Sequence, residues 1–472
     1  MLMAAIHPAQ FADSIEQYNW AHSLEWGYWK HPPLPTWMMR GAIAVMGASH
    51  WTAPALAAAC LAASAWLMWD LGCMLLGERA ARLAIVLWPL HGALMWRADV
   101  FNHNTVLVLL ATAMAWSAVR AWRSGALRDW LLFGVASGLA LLTKYQALVT
   151  LLGVIVALGA SGSLREARTA RGVCAAVLLA LAMFMPHALW ALEHELPTLR
   201  YLDHSAPVLT YAERVPAVLR FFAAQLGLLV SILLAAAAAR YWPAQASACA
   251  PEDQPIAEAS AWMFGLVVVP LVAVAATVIV GGHTPQKMWG LHTTLFLPLW
   301  LAWTIARARP SGALASHAAV AGALLVAASA TYAVFDVQQA KTTPRHTADR
   351  VVPASQLAHA VLDDWQQVTD CPLRFVSGTG FAAGLVSVYS GLYPAVLEEN
   401  FDKSPWIDPT ELRARGSVDI HGPMPAADVP DNVHSMEVPA PAKFNGPAAI
   451  WWHVVPPARA CDAQAAQVPV KP

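Results

Sequence analysis

TAPALAAACLAASAWLMWDLGCMLL, residues 52–76, holds a single charged side chain, Asp70. The run is longer than the ~20 residues that an α-helix needs to cross a ~30 Å hydrocarbon core. A core helix of a water-soluble protein keeps a polar face, and this stretch has almost none, so it predicts a membrane span. Working outward, comparable apolar runs occur at roughly 82–97, 104–121, 172–192, 217–239, 261–281, 289–305 and 314–335. A further run, 130–160, is interrupted by Thr143-Lys144-Tyr145-Gln146. It reads as two short helices meeting at that polar break, because one continuous helix would strand Lys144 in mid-bilayer. Residues 36–48 are too short to span and, with Arg40 among them, read as an amphipathic helix lying in the interface. The count comes to about ten membrane segments.

Composition agrees. Of the 472 residues, 58% are hydrophobic and 12% charged, with mean hydropathy +0.47; a soluble chain carries about 25% charge. The 22 tryptophans suit two interfacial belts. A net charge of −1 gives no basic surface for nucleic acid. Lys and Arg in short loops set the orientation. Arg79, Arg82, Arg120, Arg123, Arg128, Arg165, Arg168, Arg171, Arg240, Arg307 and Arg309 fall on one side, which is expected to be cytoplasmic. Everything else, including the tail after Phe335, then lies outside. No apolar span precedes Asp13, so an additional helix upstream of Met1 is expected to deliver this end of the chain.

Three regions follow: residues 1–50 as an outer loop with an interfacial helix, 51–340 as the membrane bundle, and 341–472 as a small extracytoplasmic α/β domain. In the tail, helices are predicted at Ser355–Gln367, Phe381–Tyr389 and Glu411–Arg415, with strands at Leu373–Val376, Val418–Ile420 and Ala448–Val455. Cys371 and Cys461 are the tail's two cysteines and can pair in an oxidising compartment. Cys60, Cys73 and Cys174 lie in apolar spans, and Cys249 in a loop where it should stay reduced. Neither a C-x-x-C spacing nor a glycine-rich phosphate cradle occurs.

The candidate chemistry lies on the outer side. Asp13 and Glu16 stand three apart and share one helix face; they fit a capping box, with Asp13 as N-cap and Glu16 at N3, and equally a carboxylate base that takes a proton from an attacking hydroxyl. Gly27-Tyr28-Trp29-Lys30-His31-Pro32-Pro33-Leu34-Pro35-Thr36 makes a stiff aromatic loop beside them. His31 is either part of that stiff turn or a group that touches the substrate. Lys144 and Lys287 are candidate cations for a phosphate, or lysines snorkelling from helix ends. Asn102 and Asn104 either orient sugar hydroxyls or cap the next span, and Asp99 stands nearby as a further candidate substrate contact. Tyr145 follows Lys144. His194 and Glu195 end another span as substrate contacts or as interfacial solvation. The histidines are dispersed and form no readable metal site; a divalent cation can share the phosphate's charge, though nothing in the sequence requires it.

Asp13-x-x-Glu16-Gln17-Tyr18-x-Trp20 through Gly27-Tyr28-x-Lys30-His31-Pro32-Pro33-Leu34 resembles the first outer loop of the glycosyltransferase C superfamily. The likeness is nearest to the dolichyl-phosphate-mannose protein mannosyltransferases (family 39) and the related lipid A aminoarabinose transferases. Phe101–Leu107, Gly138–Tyr145 and Pro186-His187-x-x-Trp190 are similar to that family too, and the resemblance covers roughly residues 10–300. The tail, with Ser404-Pro405-Trp406-Ile407-Asp408, resembles the outer domain of some bacterial members. The resemblance implies a mainly α, polytopic bundle of the GT-C type in a bacterial inner membrane. It also implies inverting transfer of a sugar from a polyprenyl-phosphate donor, at the outer face, to a lipid, glycan or protein acceptor. Glu16 matches the second member of the family's acidic pair. The first falls at Ile15, with Asp13 its substitute from two residues earlier, and the family's second-loop Asp appears as Asn104. Lys144 matches the lysine near the donor phosphate.

Two rival classes fit less well. A secondary transporter would keep ionisable residues at the midplane of internally repeated halves, and no such repeat is present. A non-catalytic membrane scaffold has no need of carboxylates and lysines beside a rigid loop.

Overall fold

The structure, a computed structural model, describes residues 2–241, 256–309 and 314–458. A short α1 (Leu2–Ile6) leads to α2 (Ala12–Trp20), the aromatic loop and α3 (Leu34–Met46). Next come α4 (Thr52–Leu76), α5 (Glu78–Leu87), α6 (Gly92–Trp96), α7 (His103–Ser124), α8 (Leu127–Leu141), α9 (Ala147–Ala160) and α10 (Ala167–Glu193). After α11 (Pro197–Ser205) and α12 (Tyr211–Tyr241), α13 (Ile256–Met263) runs through a π-turn at Phe264–Val268 into α14 (Val269–Gly281). α15 (Trp289–Thr293), α16 (Leu297–Ala308) and α17 (Leu314–Ala340) complete the bundle. Among the described residues, six helical stretches are long and apolar enough to cross a membrane: α4, α7, α10, α12, Glu258–Gly281 and α17.

α7 sits in the middle, with Val106, Leu107, Ala111, Met114, Ala115 and Ala118 all buried. α10, α12 and α17 instead turn Leu178, Leu181, Leu219, Leu226 and Leu324 outward. In water such a surface would drive association; against lipid tails it is simply the solvated face. The run 130–160 does divide, into α8 and α9, at Leu142–Gln146. There the Lys144 amide still bonds to Ala140 O at 3.0 Å while the chain turns.

Two expected spans are not single helices. The stretch 82–97 is cut at Trp88–Leu90, a 3₁₀ turn carrying Pro89, and at His91, which caps α6. Proline removes a helical N–H and clashes with the preceding turn. The stretch 289–305 is cut between Thr293 and Leu297, where the Thr294 hydroxyl bonds back to Gly290 O at 2.7 Å and its own turn is closed by His91. Each of the expected stretches is helical, but among the described residues only six are long enough to cross a membrane as one helix; the others are short or broken helices.

Beyond α17, α18 (Ala354–Val368), α19 (Gly380–Tyr389) and α20 (Pro409–Arg415) accompany five strands: β1 (Phe375–Gly378), β2 (Ala395–Glu398), β3 (Ser417–Pro425), β4 (His434–Val438) and β5 (Ala448–Val455). They form one sheet in the order β2-β1-β3-β5-β4, with β1 parallel to β2 and β3 and the remaining pairs antiparallel. Val376, Ile420, Ile450 and Trp452 are buried in it. Each expected tail element forms, extended by a few residues or shifted; β2 and β4 are additional. Cys371 is disulfide-bonded; Cys461 and Cys249 lie outside the described residues.

α19 packs on the sheet and on α2. It approaches α2 at Gly384, where an added Cβ would lie 2.2 Å from Ile15 Cγ2. Gly384→Val should therefore overpack the junction and cost about 1–3 kcal/mol, read as a lower unfolding midpoint in detergent. Gly227→Ala, on α12 with no atom within 4 Å of the new Cβ, should leave the midpoint unchanged.

Candidate functional site

α2 begins at Ala12 with Phe11 as N-cap, and no side chain caps it. The capping box does not form: Asp13 is already inside the first turn. Its carboxylate turns instead to Asn102, accepting from Nδ2 at 2.9 Å. Asn102 does cap α7, its Oδ1 accepting from the amides of Asn104 at 2.9 Å and Thr105 at 3.1 Å. One turn along α2, Glu16 forms an ion pair with Lys30. Lys30 in turn lies 4.5 Å over the Trp29 ring and 5.5 Å over Tyr201.

The loop that carries Lys30 is rigid for identifiable reasons. Tyr28 and His31 exchange backbone hydrogen bonds at 3.0 and 3.2 Å, Tyr28 stacks on Trp20 at 5.0 Å, and the Leu34 amide reaches Leu142 O at 3.0 Å. That last bond ties the loop to the α8–α9 break, so Lys144 arrives opposite α2, its Nζ 2.9 Å from Asn104 Oδ1. Tyr145 donates to His187 Nε2 at 2.8 Å, and His187 Nδ1 to Trp26 O at 2.6 Å. This fixes the neutral imidazole's tautomer and ties α10 to the loop.

These side chains share one cavity of about 470 Å³. Asp13, Glu16, Lys30, His31, Asn102, Asn104, Lys144 and Tyr145 line it, together with the apolar Val149, Leu199, Val274 and Met288. Burial, reinforced by the neighbouring Glu398 and Asp13 carboxylates and opposed by Lys30, pushes the Glu16 carboxyl up to about 8. Burial works against the Lys30 charge, but Glu16 outweighs it and the ammonium is pushed up to about 12. Burial, with His103, Lys144 and Lys30 nearby, holds the His31 imidazole neutral. Among the described residues, no group of three His, Cys, Asp or Glu side chains is placed to hold a metal ion.

Four expected site residues are not brought to the cavity. Asp99 is fully buried in an ion pair with Arg350, which enters from the C-terminal unit. Lys287 is exposed, although its neighbours Gln286, Met288 and Trp289 line the wall. His194 is exposed and bonded to Trp190 O at 2.8 Å, and Glu195 pairs with Arg200. Conversely, Lys30, His103 and Tyr201 line the cavity and escaped the reading as site residues. Lys30 carried the only signal, a charge inside an aromatic loop.

Residues 30–190 match the family model described as dolichyl-phosphate-mannose-protein mannosyltransferase. The fold resembles the crystal structure of ArnT from Cupriavidus metallidurans bound to undecaprenyl phosphate, with a TM-score of 0.56 at 13% identity, over 96% of this chain and 95% of that one. The chain is thus a polytopic integral membrane protein that shares the fold of that structure, with a central stretch similar to the protein-mannosyltransferase model. It is 28% identical over 228 residues to the lipid A galacturonosyltransferase RgtD of Rhizobium johnstonii, covering 47% of each chain. It is also 28% identical over 184 residues to the lipopolysaccharide core galacturonosyltransferase RgtA of the same organism, covering 38% of this chain and 36% of the relative. The chain therefore spans about half the length of these relatives or less.

Arg350→Met should leave Asp99 buried and unpaired, a loss of about 3–5 kcal/mol visible as a large drop in the unfolding midpoint. Breaking the exposed Glu78–Arg82 pair with Arg82→Gln should change stability by about 0–1 kcal/mol.

Proposed function

We propose that the protein is a membrane glycosyltransferase that moves one sugar, with inversion, from a polyprenyl-phosphate donor to a hydroxyl of a glycolipid acceptor. One observation carries the reading: two carboxylates, Asp13 and Glu16, and two amino groups, Lys30 and Lys144, line one cavity that apolar side chains line as well. The acceptor O–H gives its proton to Glu16 as its oxygen attacks the anomeric carbon. The bond from that carbon to the phosphate oxygen breaks, and the lipid phosphate leaves with the electron pair. Lys144, already oriented by Asn104, meets the developing charge without reorganisation. The bond between Asn102 and Asp13 fixes the second carboxylate, which holds sugar hydroxyls. The names of the relatives favour a uronic acid as the sugar and a lipid A or core oligosaccharide as the acceptor. The Arg-poor end of the bundle, with the cavity and the C-terminal unit, faces outward across the bacterial inner membrane.

A base must be ionised to act, so with the Glu16 carboxyl raised to about 8 the turnover should climb as pH rises toward that value, and it should fall above it because burial lowers the Lys144 ammonium to about 8 as well. Glu16→Gln should lower turnover about a hundredfold or more and remove that climb. Lys144→Met should weaken donor binding and turnover together. Purified protein with radiolabelled undecaprenyl-phosphate-linked galacturonic acid and lipid A provides the assay. Wild-type rates in both variants overturn the assignment.

Orientation is tested separately in intact cells. Cysteines introduced near residues 125 and 167 should resist a membrane-impermeant thiol reagent, and one near 400 should react. The reverse pattern overturns the outward site.

A further inference from the structure

The broken run 82–97 ends in a guanidinium that the chemistry above leaves unused. α6 stops at Trp96, Arg97 is its C-cap, and the Arg97 carbonyl accepts from the Val100 amide at 3.0 Å. That turn sets Arg97 near the start of α7, where it borders one small pocket with Asn102 and Asn104. Its guanidinium lies 4.5 Å over the ring of Phe11, the N-cap of α2. Stacking on an aromatic face leaves the donors at the edge of a guanidinium free to bond.

Among the described residues, the Arg97 guanidinium makes neither a hydrogen bond nor an ion pair. The other cations around the site are engaged: Lys30 with Glu16, Lys144 with Asn104, and Arg350 with Asp99. Asp13 accepts instead from Asn102, at 2.9 Å. A half-buried guanidinium with five donors and no acceptor is costly to keep.

Arg97, Asn102, Asn104 and Thr105 line the pocket together with Leu94 and Leu291. It shares Asn102, Asn104 and Met288 with the main cavity, so the two adjoin. Its volume is about 10 Å³, room for roughly one water-sized group. The tip of a ligand enters; a sugar ring does not. No carboxylate lines it, and the guanidinium fork matches a planar carboxylate through two parallel hydrogen bonds. In a hexuronic acid the anomeric carbon and the carbon that bears the carboxylate flank the ring oxygen. A phosphate on the first therefore leaves the ring beside the carboxylate. Lys144 and Arg97 stand in a similar relation, since both border Asn104.

We propose that Arg97 selects an acidic sugar, its guanidinium taking the carboxylate of a hexuronic acid whose anomeric phosphate meets Lys144. This rests on the reading of the cavity as the place of sugar transfer, and it assigns the preference for a uronic acid to one side chain.

The test compares two radiolabelled donors on the full chain with lipid A as acceptor. Undecaprenyl-phosphate-linked galacturonic acid and undecaprenyl-phosphate-linked galactose differ in a carboxylate against a hydroxymethyl group. The wild type should prefer the acid in kcat/KM by about tenfold to a hundredfold, the range set by a charged hydrogen bond. Arg97→Gln should erase most of that preference by slowing the acid donor. Arg97→Lys, which keeps the charge and loses the fork, should erase part of it. Wild-type protein that uses the two donors equally well overturns the proposal without any variant. So does an Arg97→Gln protein whose rates fall equally on both donors, as a merely structural arginine would give. Failure of the underlying reading looks different: Glu16→Gln would then transfer either sugar at the wild-type rate.

Discussion

Ile15 and Asn19 of α2 meet α19 where Gly384 has no side chain, and the placement of both carboxylates follows from that contact. α2 is only nine residues long, too short to be stable alone, so its order comes from what it packs against. Ser14, Ile15, Gln17, Tyr18, Asn19 and Trp20 are buried; Asp13 and Glu16 are what remains to face the cavity. Ser14 exchanges hydrogen bonds with Phe101 at 3.2 Å, Tyr18 reaches Ser49 O at 2.7 Å, and Trp20 and Asn19 reach the C-terminal unit. A helix clamped from three sides presents its charges at fixed positions, which is what catalysis by preorganised charge requires.

The charged residues divide by their surroundings. The Asp99–Arg350 pair is shut away from solvent and joins the second loop to the C-terminal unit, with the Ala9 amide bonded to Arg350 O at 3.0 Å. Its worth lies in fixing geometry, since desolvation of two ions offsets most of their attraction. The Glu16–Lys30 pair stands at the cavity wall, where burial is incomplete. Buried groups with shifted ionisation cluster at functional sites as well as in structural pairs. The cavity beside Glu16 and the solid packing around Asp99 tell the two cases apart.

Much of the bundle was legible because its signal is local. The spans at 52–76, 104–121 and 172–192 announce themselves by length and apolarity, and Lys144 marks the α8–α9 break because a lysine cannot be left in mid-bilayer. The run 82–97 misled because apolarity is blind to the proline at 89 and to the burial of its pieces inside the bundle. The carboxylates of α2 were visible as a pair, but their partners were not. Lys30 lies fourteen residues from Glu16, and Asn102 lies 89 from Asp13. β2 and β4 are strands of four and five residues, too short to show a pattern of their own. Lys287, His194 and Glu195 fall on the expected side of the bundle yet point to solvent, because a side does not specify a direction.

The most direct measurement is a density map of the protein with undecaprenyl phosphate bound. The phosphate should sit in the cavity within hydrogen-bonding reach of Lys144 Nζ, opposite Asp13 and Glu16, with the isoprenoid chain leaving past Val149 and Val274. A phosphate held instead at the Arg-rich end of the bundle, with the cavity empty, would contradict the assignment of this cavity as the place where sugar transfer occurs.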